Sequence, residues 1–339
     1  MDVLRIGIIG SGFIARTHAR SIRDYLAKAC LAGIAGGSRA PGLAADFHVP
    51  HYDAVESLAA SKEIDAIFIT SPHHLHHEHA LLCARSGKHV LLEKPMATSL
   101  DQCREIRDAY SMRGLRLMIA FSQRFRASNR KAFEIIARGD LGRIRMIQEF
   151  ALVPDGLAAY PTWQQKPENL GVLFGYGIHN LDKLRWFLQS EVETVSAQAI
   201  HAESGIETST MATMRWRNGA ITNLWSSVDL GRPGFENSAF RSLIVGEKGL
   251  LDVDGYGPLR MASTGNAWQT IFVQPPIDWQ GEGMFAEARM ASFNAQNQEF
   301  INAILEGRDP EVTGEDGVRS VEIALALYRA ASLNTVVSL

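Results

Sequence analysis

The stretch VLRIGIIGSGFIA, residues 3–15, decides the fold. It joins a short apolar run to a glycine turn, and the turn opens a segment with the apolar spacing of a helix. Gly10 permits a tight turn, Gly12 lets the backbone approach a pyrophosphate, and Ala15 allows close helix packing. A phosphate is stabilised at such a helix N-terminus. The order of strand, turn and helix therefore predicts a dinucleotide site, and the expected contacts are Gly10, Gly12, Phe13 and Ile14.

Over residues 3–121, short apolar runs alternate with segments of helical spacing, as expected for parallel strands joined by crossover helices. The predicted strands are Val3–Ile9, Leu31–Ala35, Ile64–Thr70, His89–Glu93 and Leu117–Phe121. The predicted helices are Ile14–Ala29, Leu75–Ser86 and Ser99–Met112. A sheet covered on both faces needs continuously apolar strands, as in the run AIFI at 66–69. We therefore predict that residues 1–121 form a doubly wound α/β domain of the Rossmann type.

After residue 121 the sequence is rich in β-branched and aromatic residues, with turn signals such as Arg217-Asn218-Gly219. The predicted strands are Ile144–Leu152, Thr194–His201, Thr208–Trp216, Ala220–Ser227 and Arg241–Val245, and the predicted helices cover 129–138, 179–188, 293–306 and 314–333. Apolar and polar residues alternate along Thr208–Trp216, which is typical of a sheet packed on one side. We predict that residues 122–339 form an α+β domain with a large, mostly antiparallel open sheet. Its other side would meet helices or a second subunit, and we expect a homodimer or homotetramer.

Composition excludes several classes of protein. The 339 residues include 34 Lys and Arg against 37 Asp and Glu, a formal charge of −3. Such a chain lacks the basic excess that nucleic-acid binding needs. The three cysteines, Cys30, Cys83 and Cys103, lie far apart without C-x-x-C spacing, which argues against disulfides and thiolate metal sites. With no apolar run long enough to span a membrane, the expectation is a cytoplasmic protein whose partner is a small-molecule substrate.

The tip of the second predicted strand bears on cofactor preference. An NAD site usually places Asp or Glu there to bind the ribose 2′-hydroxyl. Here the tip reads Gly36-Gly37-Ser38-Arg39. A serine and a guanidinium suit a 2′-phosphate, which predicts NADP, with NAD as the alternative. A solvated surface arginine would give the same sequence.

The string Glu93-Lys94-Pro95 ends the fourth predicted strand. Lys94 would therefore lie at the carboxyl edge of the sheet, where open α/β proteins bind ligands. An amine there can donate to a substrate oxygen, and burial can lower its pKa toward a useful range. Taken alone, the string is better explained by an ion pair of Glu93 with a neighbour.

Together, these motifs resemble the Gfo/Idh/MocA oxidoreductase family, named for glucose-fructose oxidoreductase and inositol dehydrogenase. The resemblance covers nearly all of the chain and adds the segments at 71–76, 171–182 and 313–317. It implies a Rossmann domain, a C-terminal α/β domain with a large open sheet, a nicotinamide cofactor and sugar-like or polyol substrates. By resemblance, Lys94 would touch substrate and nicotinamide, and His179 would be the general base or acid.

This sequence departs from the family at Gly175. Many family dehydrogenases carry Asp four residues before the histidine, so the usual carboxylate partner of His179 is missing. Asp182, three residues after His179 on a predicted helix, and Tyr176 are the candidate supporting side chains. Either the substrate is unusual or the chain does not turn over; we favour the first because His179 and Lys94 are both present.

Further candidates flank these motifs. Ser71 and Pro72 should border the nicotinamide ribose, and the resemblance places His73 and His76 in the cofactor loop. The histidine run at 73–79 also has metal-ligand spacing, but we predict no metal because this loop meets the cofactor. The long loop at 153–170 suggests a substrate wall, in which Tyr160 and Trp163 would stack on a ring or would simply pin the loop to the core.

The sequence therefore predicts an NADP-preferring oxidoreductase. Hydride would pass between the cofactor and a carbinol or carbonyl of a sugar, polyol, glycoside or related cyclic diol, while His179 exchanges the hydroxyl proton. Two alternatives stay open. One is redox-assisted glycoside cleavage or elimination without net cofactor reduction, and the other is a nucleotide-sensing binding protein without catalysis.

Overall fold

A computed structural model describes residues 3–154, 156–235, 239–277 and 283–339. They form two units, one containing the chain up to Ser122 together with Met290–Val321, the other containing Gln123–Arg289 and Glu322–Leu339. The boundary predicted at residue 121 assigned every later residue to the second domain, whereas 290–321 belong to the first unit. Sequence composition does not reveal this return, because a returning helix has the same apolar spacing as one that stays.

Six parallel strands form the sheet of the first unit, in the order β3-β2-β1-β4-β5-β6. They are β1 Leu4–Ile9, β2 Ala29–Ala35, β3 His51–Tyr52, β4 Ala66–Ile69, β5 His89–Leu92 and β6 Leu117–Ile119. The helices between them are α1 Phe13–Tyr25, α2 Ala40–Phe47, α3 Val55–Ala60, α4 His76–Arg85 and α5 Leu100–Ser111. The predicted doubly wound domain is confirmed. The short elements β3, α2 and α3 were not predicted.

The core of this sheet comes from its continuously apolar strands. Ile6, Ile8 and Ile9 of β1 and all four residues of β4 are fully buried. Each such large aliphatic or aromatic side chain stabilises the fold by roughly 1.5–3 kcal/mol. The strand ends that follow are therefore held on a rigid base.

Nine strands form the sheet of the second unit, in the order β14-β13-β12-β11-β7-β10-β9-β8-β15. They are β7 Ile144–Pro154, β8 Val192–His201, β9 Glu207–Trp216, β10 Ile221–Leu230, β11 Arg241–Gly246, β12 Gly249–Asp254, β13 Leu259–Ser263, β14 Gln269–Phe272 and β15 Val337–Ser338. Strand β10 pairs parallel with β7, while the other described pairs of this sheet are antiparallel. The predicted mostly antiparallel sheet is confirmed.

The alternation along β9 has the predicted packing. Thr208, Thr210, Ala212, Met214 and Trp216 are buried. On the opposite face, Met211 is 53% exposed and Arg215 is exposed as well. One face of the sheet therefore packs on the core and the other is open.

The remaining helices are α6 Ala127–Ala137, α7 Ile178–Leu188, α8 Glu287–Glu306 and α9 Gly314–Leu333. A π-helical turn, Leu173–Gly177, leads directly into α7. Helix α9 begins with a reciprocal cap, since Thr313 N–H donates to Asp316 Oδ2 over 2.9 Å and Asp316 N–H donates to Thr313 Oγ1 over 3.4 Å. None of the helices in the described ranges has the length and apolar character required to cross a membrane.

Candidate active site

The glycine turn after β1 has a backbone that only glycine tolerates. Gly10 adopts φ +120°, and a Cβ there would overlap the Thr70 hydroxyl and lie 2.8 Å from the Thr70 carbonyl carbon. Gly12 is the N-cap of α1 and no side chain caps this helix. The first amides of α1 are therefore left for a ligand, and the turn fits a dinucleotide pyrophosphate.

The side chains at the start of α1 divide into packing and exposed residues. Ala15 is fully buried, whereas Phe13 is 36% exposed and Ile14 is half-buried. Ala15 thus allows the close helix packing that the motif predicts. Phe13 and Ile14 are accessible in the first turn of α1, beside the glycine turn.

Arg39 lies close to the glycine turn. A Cβ on Gly12 would be 3.7 Å from Arg39 Nη2, and Ser38 and Arg39 are both exposed. Gly36 and Gly37 reach this position with φ of +82° and +81°. Within the described ranges, no carboxylate forms an ion pair with Arg39. The guanidinium is thus exposed and adjacent to the phosphate cradle.

The loop after β4 is tied down by two buried histidines. Ser71 Oγ lies 2.9 Å from His79 Nδ1. The fully buried His76 has its Nδ1 2.7 Å from the Pro95 carbonyl oxygen and its Nε2 2.8 Å from the Ser71 carbonyl oxygen. Burial lowers the pKa of His76 to about 4. Its ring joins two loops of the sheet edge, so any effect of His76 on a cofactor passes through those loops.

Glu93 and Lys94 directly follow β5. Lys94 N–H donates to Glu93 Oε2 over 3.2 Å, and Glu93 Oε1 lies 3.1 Å from His18 Nε2. On its other side, His18 Nδ1 lies 3.1 Å from Asn297 Oδ1. Burial lowers the pKa of Lys94, while Glu93 raises it. Glu93 therefore does contact a neighbouring side chain, as the ion-pair alternative expects, and that neighbour is His18.

Strand order brings these loops together. β1, β4 and β5 are adjacent and parallel, so the residues that follow them share one edge of the sheet. Gly10, Ser71 and Lys94 follow those three strands. The first unit therefore presents the glycine turn, the serine loop and the lysine on a single edge.

In the second unit, the glycines of the segment 171–177 differ in what surrounds them. A Cβ on Gly171 would lie 2.7 Å from Glu207 Cβ, and one on Gly177 would lie 2.8 Å from Leu173 Cδ1. A Cβ on Gly175 would meet no atom within 4 Å. Packing therefore requires glycine at 171, where a Cβ would also lie 2.5 Å from the Glu207 carbonyl oxygen, but leaves room for a larger side chain at 175.

A buried carboxylate fixes the start of this segment. Glu207 Oε2 accepts hydrogen bonds from Leu173 N–H over 2.8 Å and from the Tyr328 hydroxyl over 3.1 Å. The Tyr328 oxygen in turn accepts from Gly171 N–H over 3.1 Å, and its ring stacks on Phe174. Burial raises the pKa of Glu207. These contacts hold the turn that presents Tyr176 and leads to His179.

Asp182 forms a bidentate ion pair with Arg124. Arg124 Nε donates to Asp182 Oδ2 over 2.8 Å and Arg124 Nη2 donates to Oδ1 over 2.5 Å. The Asp182 side chain is fully buried. This pairing anchors α7 to the segment before α6, and it engages the carboxylate that the sequence offered as a partner of His179.

A second buried pair lies on the same helix. Glu149 and Lys183 are both fully buried, with 2.8 Å between Oε1 and Nζ. Glu149 also accepts from Asn180 Nδ2 over 2.5 Å and from Ser242 Oγ over 2.7 Å. Burial lowers the pKa of Lys183 and Glu149 opposes this effect. Helix α7 is thus held to β7 and β11.

His179 lies in the first turn of α7, half-buried, three residues after Tyr176. Tyr160 packs edge-on against Tyr176 with 5.7 Å between ring centroids. Two side-chain amides fold the loop around both predicted wall residues, because Gln165 Nε2 donates to the Tyr160 carbonyl and Asn169 Nδ2 to the Trp163 carbonyl. The structure therefore groups Tyr160 with Tyr176 and leaves Trp163 half-buried in its loop.

The histidine run at 73–79 does not converge. His73, His76 and His79 are buried, while His77 bonds Glu105 over 2.8 Å. In the described part of the chain, no three His, Cys, Asp or Glu side chains are grouped to hold a metal ion.

Sequence reasoning missed His18, Arg124, Glu149 and Glu207. Their partners lie far away along the chain, for example 58 residues for Arg124 and Asp182. The available signal was the presence of charged residues within apolar predicted elements. Such residues are buried, and buried charged residues are almost always paired.

Both parts of the chain are similar to known proteins. Residues 4–121 match the model of the Gfo/Idh/MocA oxidoreductase family, NAD-binding Rossmann fold, and residues 134–339 match its C-terminal alpha/beta domain. The chain belongs to this family. It is an enzyme of the oxidoreductase class, as predicted.

Three relatives illustrate the similarity. The chain is 29% identical to a 1,5-anhydro-D-fructose reductase from Ensifer adhaerens, covering 82% of this chain and 81% of that protein. It is also 29% identical to inositol 2-dehydrogenase 2 from Saccharopolyspora erythraea, covering 97% and 93%. A crystal structure of scyllo-inositol dehydrogenase from Lactobacillus casei, with bound NAD(H) and scyllo-inositol, has a TM-score of 0.82 at 23% identity, covering 99% of both chains. This last similarity concerns the fold.

Proposed function

We propose that this protein is a nicotinamide-dependent oxidoreductase that acts on a carbinol or carbonyl of a sugar, polyol, glycoside or related cyclic diol. The observation that carries the proposal is the shared sheet edge, where the glycine turn, Ser71 and Lys94 follow three adjacent strands. A cofactor cradle and a substrate-directed amine on one edge suit hydride transfer. The relatives, which include a sugar reductase and an inositol dehydrogenase, support the same substrate classes.

The preferred cofactor in this proposal is NADP. The exposed Arg39 near Gly12 supports it, because a guanidinium without a carboxylate partner suits a 2′-phosphate. The residues that would hold the dinucleotide are Gly10, Gly12, Phe13, Ile14, Ser38, Arg39, Ser71, Pro72, His73, His76, Glu93 and Lys94. Bound nicotinamide would supply the hydride acceptor or donor.

Two side chains have the chemical roles. Lys94 donates a hydrogen bond to the reacting substrate oxygen, and the nearby Glu93 carboxylate raises the pKa of its buried amine against the effect of burial. His179 takes the hydroxyl proton during oxidation and returns it during reduction, a task suited to an imidazole near neutral pH. Tyr176 supports the histidine on the adjoining turn, and Tyr160 and Trp163 contact the substrate ring.

The test is turnover of NADP and NAD with a panel of inositols, aldoses and glycosides. We expect reduced cofactor and oxidised product to form in equal amounts. Lys94→Met should lower turnover, whereas Lys28→Met, at an exposed lysine of the same unit, should not. Cleaved glycoside without net reduced cofactor would replace the proposal with redox-assisted cleavage. Cofactor binding without turnover on the whole panel would favour a binding protein.

Assembly and location complete the proposal. The open sheet face carries Met146, Ile200 and Met211, each more than half exposed, and a cavity of about 720 Å³ lined by residues that include Ile200, Met211 and Trp225. Such a face suits a homodimer or homotetramer, which light scattering after gel filtration would detect. All three cysteines are free thiols, which suits a reducing, cytoplasmic location.

A further inference from the structure

Three of the buried cations of the second unit, Arg124, Arg126 and Lys183, differ in their partners. Arg124 pairs with Asp182, and Lys183 pairs with Glu149. Arg126 is only 6% exposed, yet no carboxylate in the described ranges forms an ion pair with it. Its Nε and Nη1 atoms are buried without a hydrogen-bond partner. Arg126 is thus the exception among these three cations.

Aromatic rings hold the Arg126 guanidinium in place. Its central carbon lies 4.2 Å from the centroid of Phe240 and 3.8 Å from that of Tyr256. Gly255 leaves space beside it, since a Cβ there would lie 2.9 Å from Nη1. Cation–π contacts stabilise the positive charge, but they give the Nε and Nη1 hydrogens no hydrogen-bond acceptor. The structure holds the group firmly and leaves part of its donor fork unused.

The same rings connect Arg126 to the residues proposed to meet substrate. Phe240 stacks with Tyr176 at 6.3 Å between centroids and 14° between planes, and Tyr176 packs against Tyr160. A row of rings thus extends from the proposed substrate wall to the guanidinium. Arg126 therefore belongs to the same cluster as Tyr176, three residues before His179.

One carboxyl group acts on Arg126 without pairing with it. Asp254 acts on Arg126 at longer range but forms no ion pair with it among the described residues, and burial raises the pKa of this carboxyl group. Arg126 lowers the pKa of Tyr176 against the effect of burial, which shows that its positive charge acts on that phenol. An unpaired buried charge is costly. A ligand that brings its own negative charge would remove that cost.

We propose that Arg126 binds an oxyanion of the substrate, so that the preferred substrate is a sugar or polyol carrying a carboxylate or phosphate group. This inference rests on the proposed oxidoreductase function and narrows its substrate class. A guanidinium fork suits a planar carboxylate or a phosphate better than a point charge does. The phenols of Tyr176 and Tyr256 supply further donors around the same position.

The first test compares D-glucuronate and D-glucose 6-phosphate with D-glucose, using the whole protein and NADP. We expect kcat/KM to be at least about tenfold higher for one of the anionic sugars, which corresponds to about 1.4 kcal/mol. Arg126→Met should abolish this preference, so that the variant uses the anionic sugars no better than D-glucose. Glucuronate preference identifies a carboxylate, and glucose 6-phosphate preference identifies a phosphate. Equal or better use of D-glucose by the wild type, or a preference retained in Arg126→Met, would overturn the inference.

A second readout does not depend on turnover. Millimolar D-glucuronate or inorganic phosphate should raise the melting temperature of the wild type and should not raise that of Arg126→Met. No rise in the wild type, or an equal rise in the variant, would contradict anion binding. If Arg126→Met does not fold, Arg126→Lys replaces it, since lysine keeps the charge and loses the fork. This variant should keep only part of the rise, and a full rise would count against the proposal.

Melting temperatures should distinguish Arg126 from Arg124, which is paired with Asp182. Arg124→Met leaves Asp182 buried without its partner and should lower the melting temperature, whereas Arg126→Met removes an unpaired charge and should not. Failure of the underlying function looks different. A protein that binds neither NADPH nor NADH would remove the oxidoreductase proposal, while one that oxidises only neutral sugars would remove the role of Arg126 alone.

Discussion

Two glycine-bearing segments precede helices in the two units, and their glycines have different causes. In the first unit, Gly10 is required by its positive φ and by the closeness of Thr70. In the second, Gly171 is required by packing against Glu207, but Gly175 has open space around it. Glycine is thus required by the backbone at position 10, whereas position 175 would accept a larger side chain. The fold therefore does not exclude a carboxylate at position 175, four residues before His179; this sequence has glycine there without a packing requirement.

The largest contrast should appear between alanine substitutions at the two kinds of glycine. Gly10→Ala forces a positive φ that costs about 1–2 kcal/mol and a clash that adds about 1–3 kcal/mol. Cofactor binding should be lost with it. Gly175→Ala should change the free energy of unfolding by less than about 1 kcal/mol. Denaturant unfolding with cofactor titration measures both, and similar losses at the two positions would contradict the comparison.

The next effect concerns His179, which follows the open position. His179→Ala should lower kcat at least about 100-fold, the usual scale for a general base, and leave cofactor affinity intact. Steady-state kinetics and a cofactor titration separate the two quantities. His201→Ala, at an exposed histidine of β8, is the matched control and should match the wild type. Unchanged turnover in His179→Ala would remove this histidine from the mechanism.

Gly175→Asp sharpens the comparison by filling the open position. A carboxylate one turn before an imidazole favours the protonated ring. The low-pH limb of the kcat/KM profile for substrate oxidation should therefore move to higher pH by about one unit. A normally folded variant with an unmoved profile would show that position 175 does not face His179.

The smallest effect tests the buried support of the segment. Because burial raises the pKa of Glu207 above its ordinary value of 4.5, the folded protein keeps a proton that the unfolded chain has already lost. Its contribution to the free energy of unfolding therefore falls as pH rises through that interval. Relative to Glu207→Gln, the wild type should lose less than about 1.4 kcal/mol between about pH 4 and about pH 7. Melting temperatures measured across that range check the sign, and a relative gain of the wild type with rising pH would contradict it.

Local patterns predicted the elements that depend on local physics. Continuous apolar runs gave β1 and β4, and alternation gave the buried face of β9. The two-residue β3 carries too little pattern to detect, and the parallel pairing of β7 with β10 depends on chain topology rather than on either strand's sequence.

The candidate site was predictable only in part, for the same reason. Glycine spacing and the string around Lys94 identified one sheet edge, because both motifs have short-range causes. The residues that contact the carboxylates of Asp182 and Glu207 come from distant segments. The sequence therefore does not indicate which residues pair with them. Space around Gly175 is a property of packing in three dimensions and has no sequence signal.

The central claim is an NADP-preferring oxidoreductase, and a parallel fluorescence titration of the purified protein with NADPH and NADH tests it most directly. The account predicts that NADPH binds at least about tenfold tighter, a difference of about 1.4 kcal/mol, and that Arg39→Ala removes the difference. Tighter binding of NADH would contradict the role of Arg39, and binding of neither nucleotide would contradict the proposed function itself.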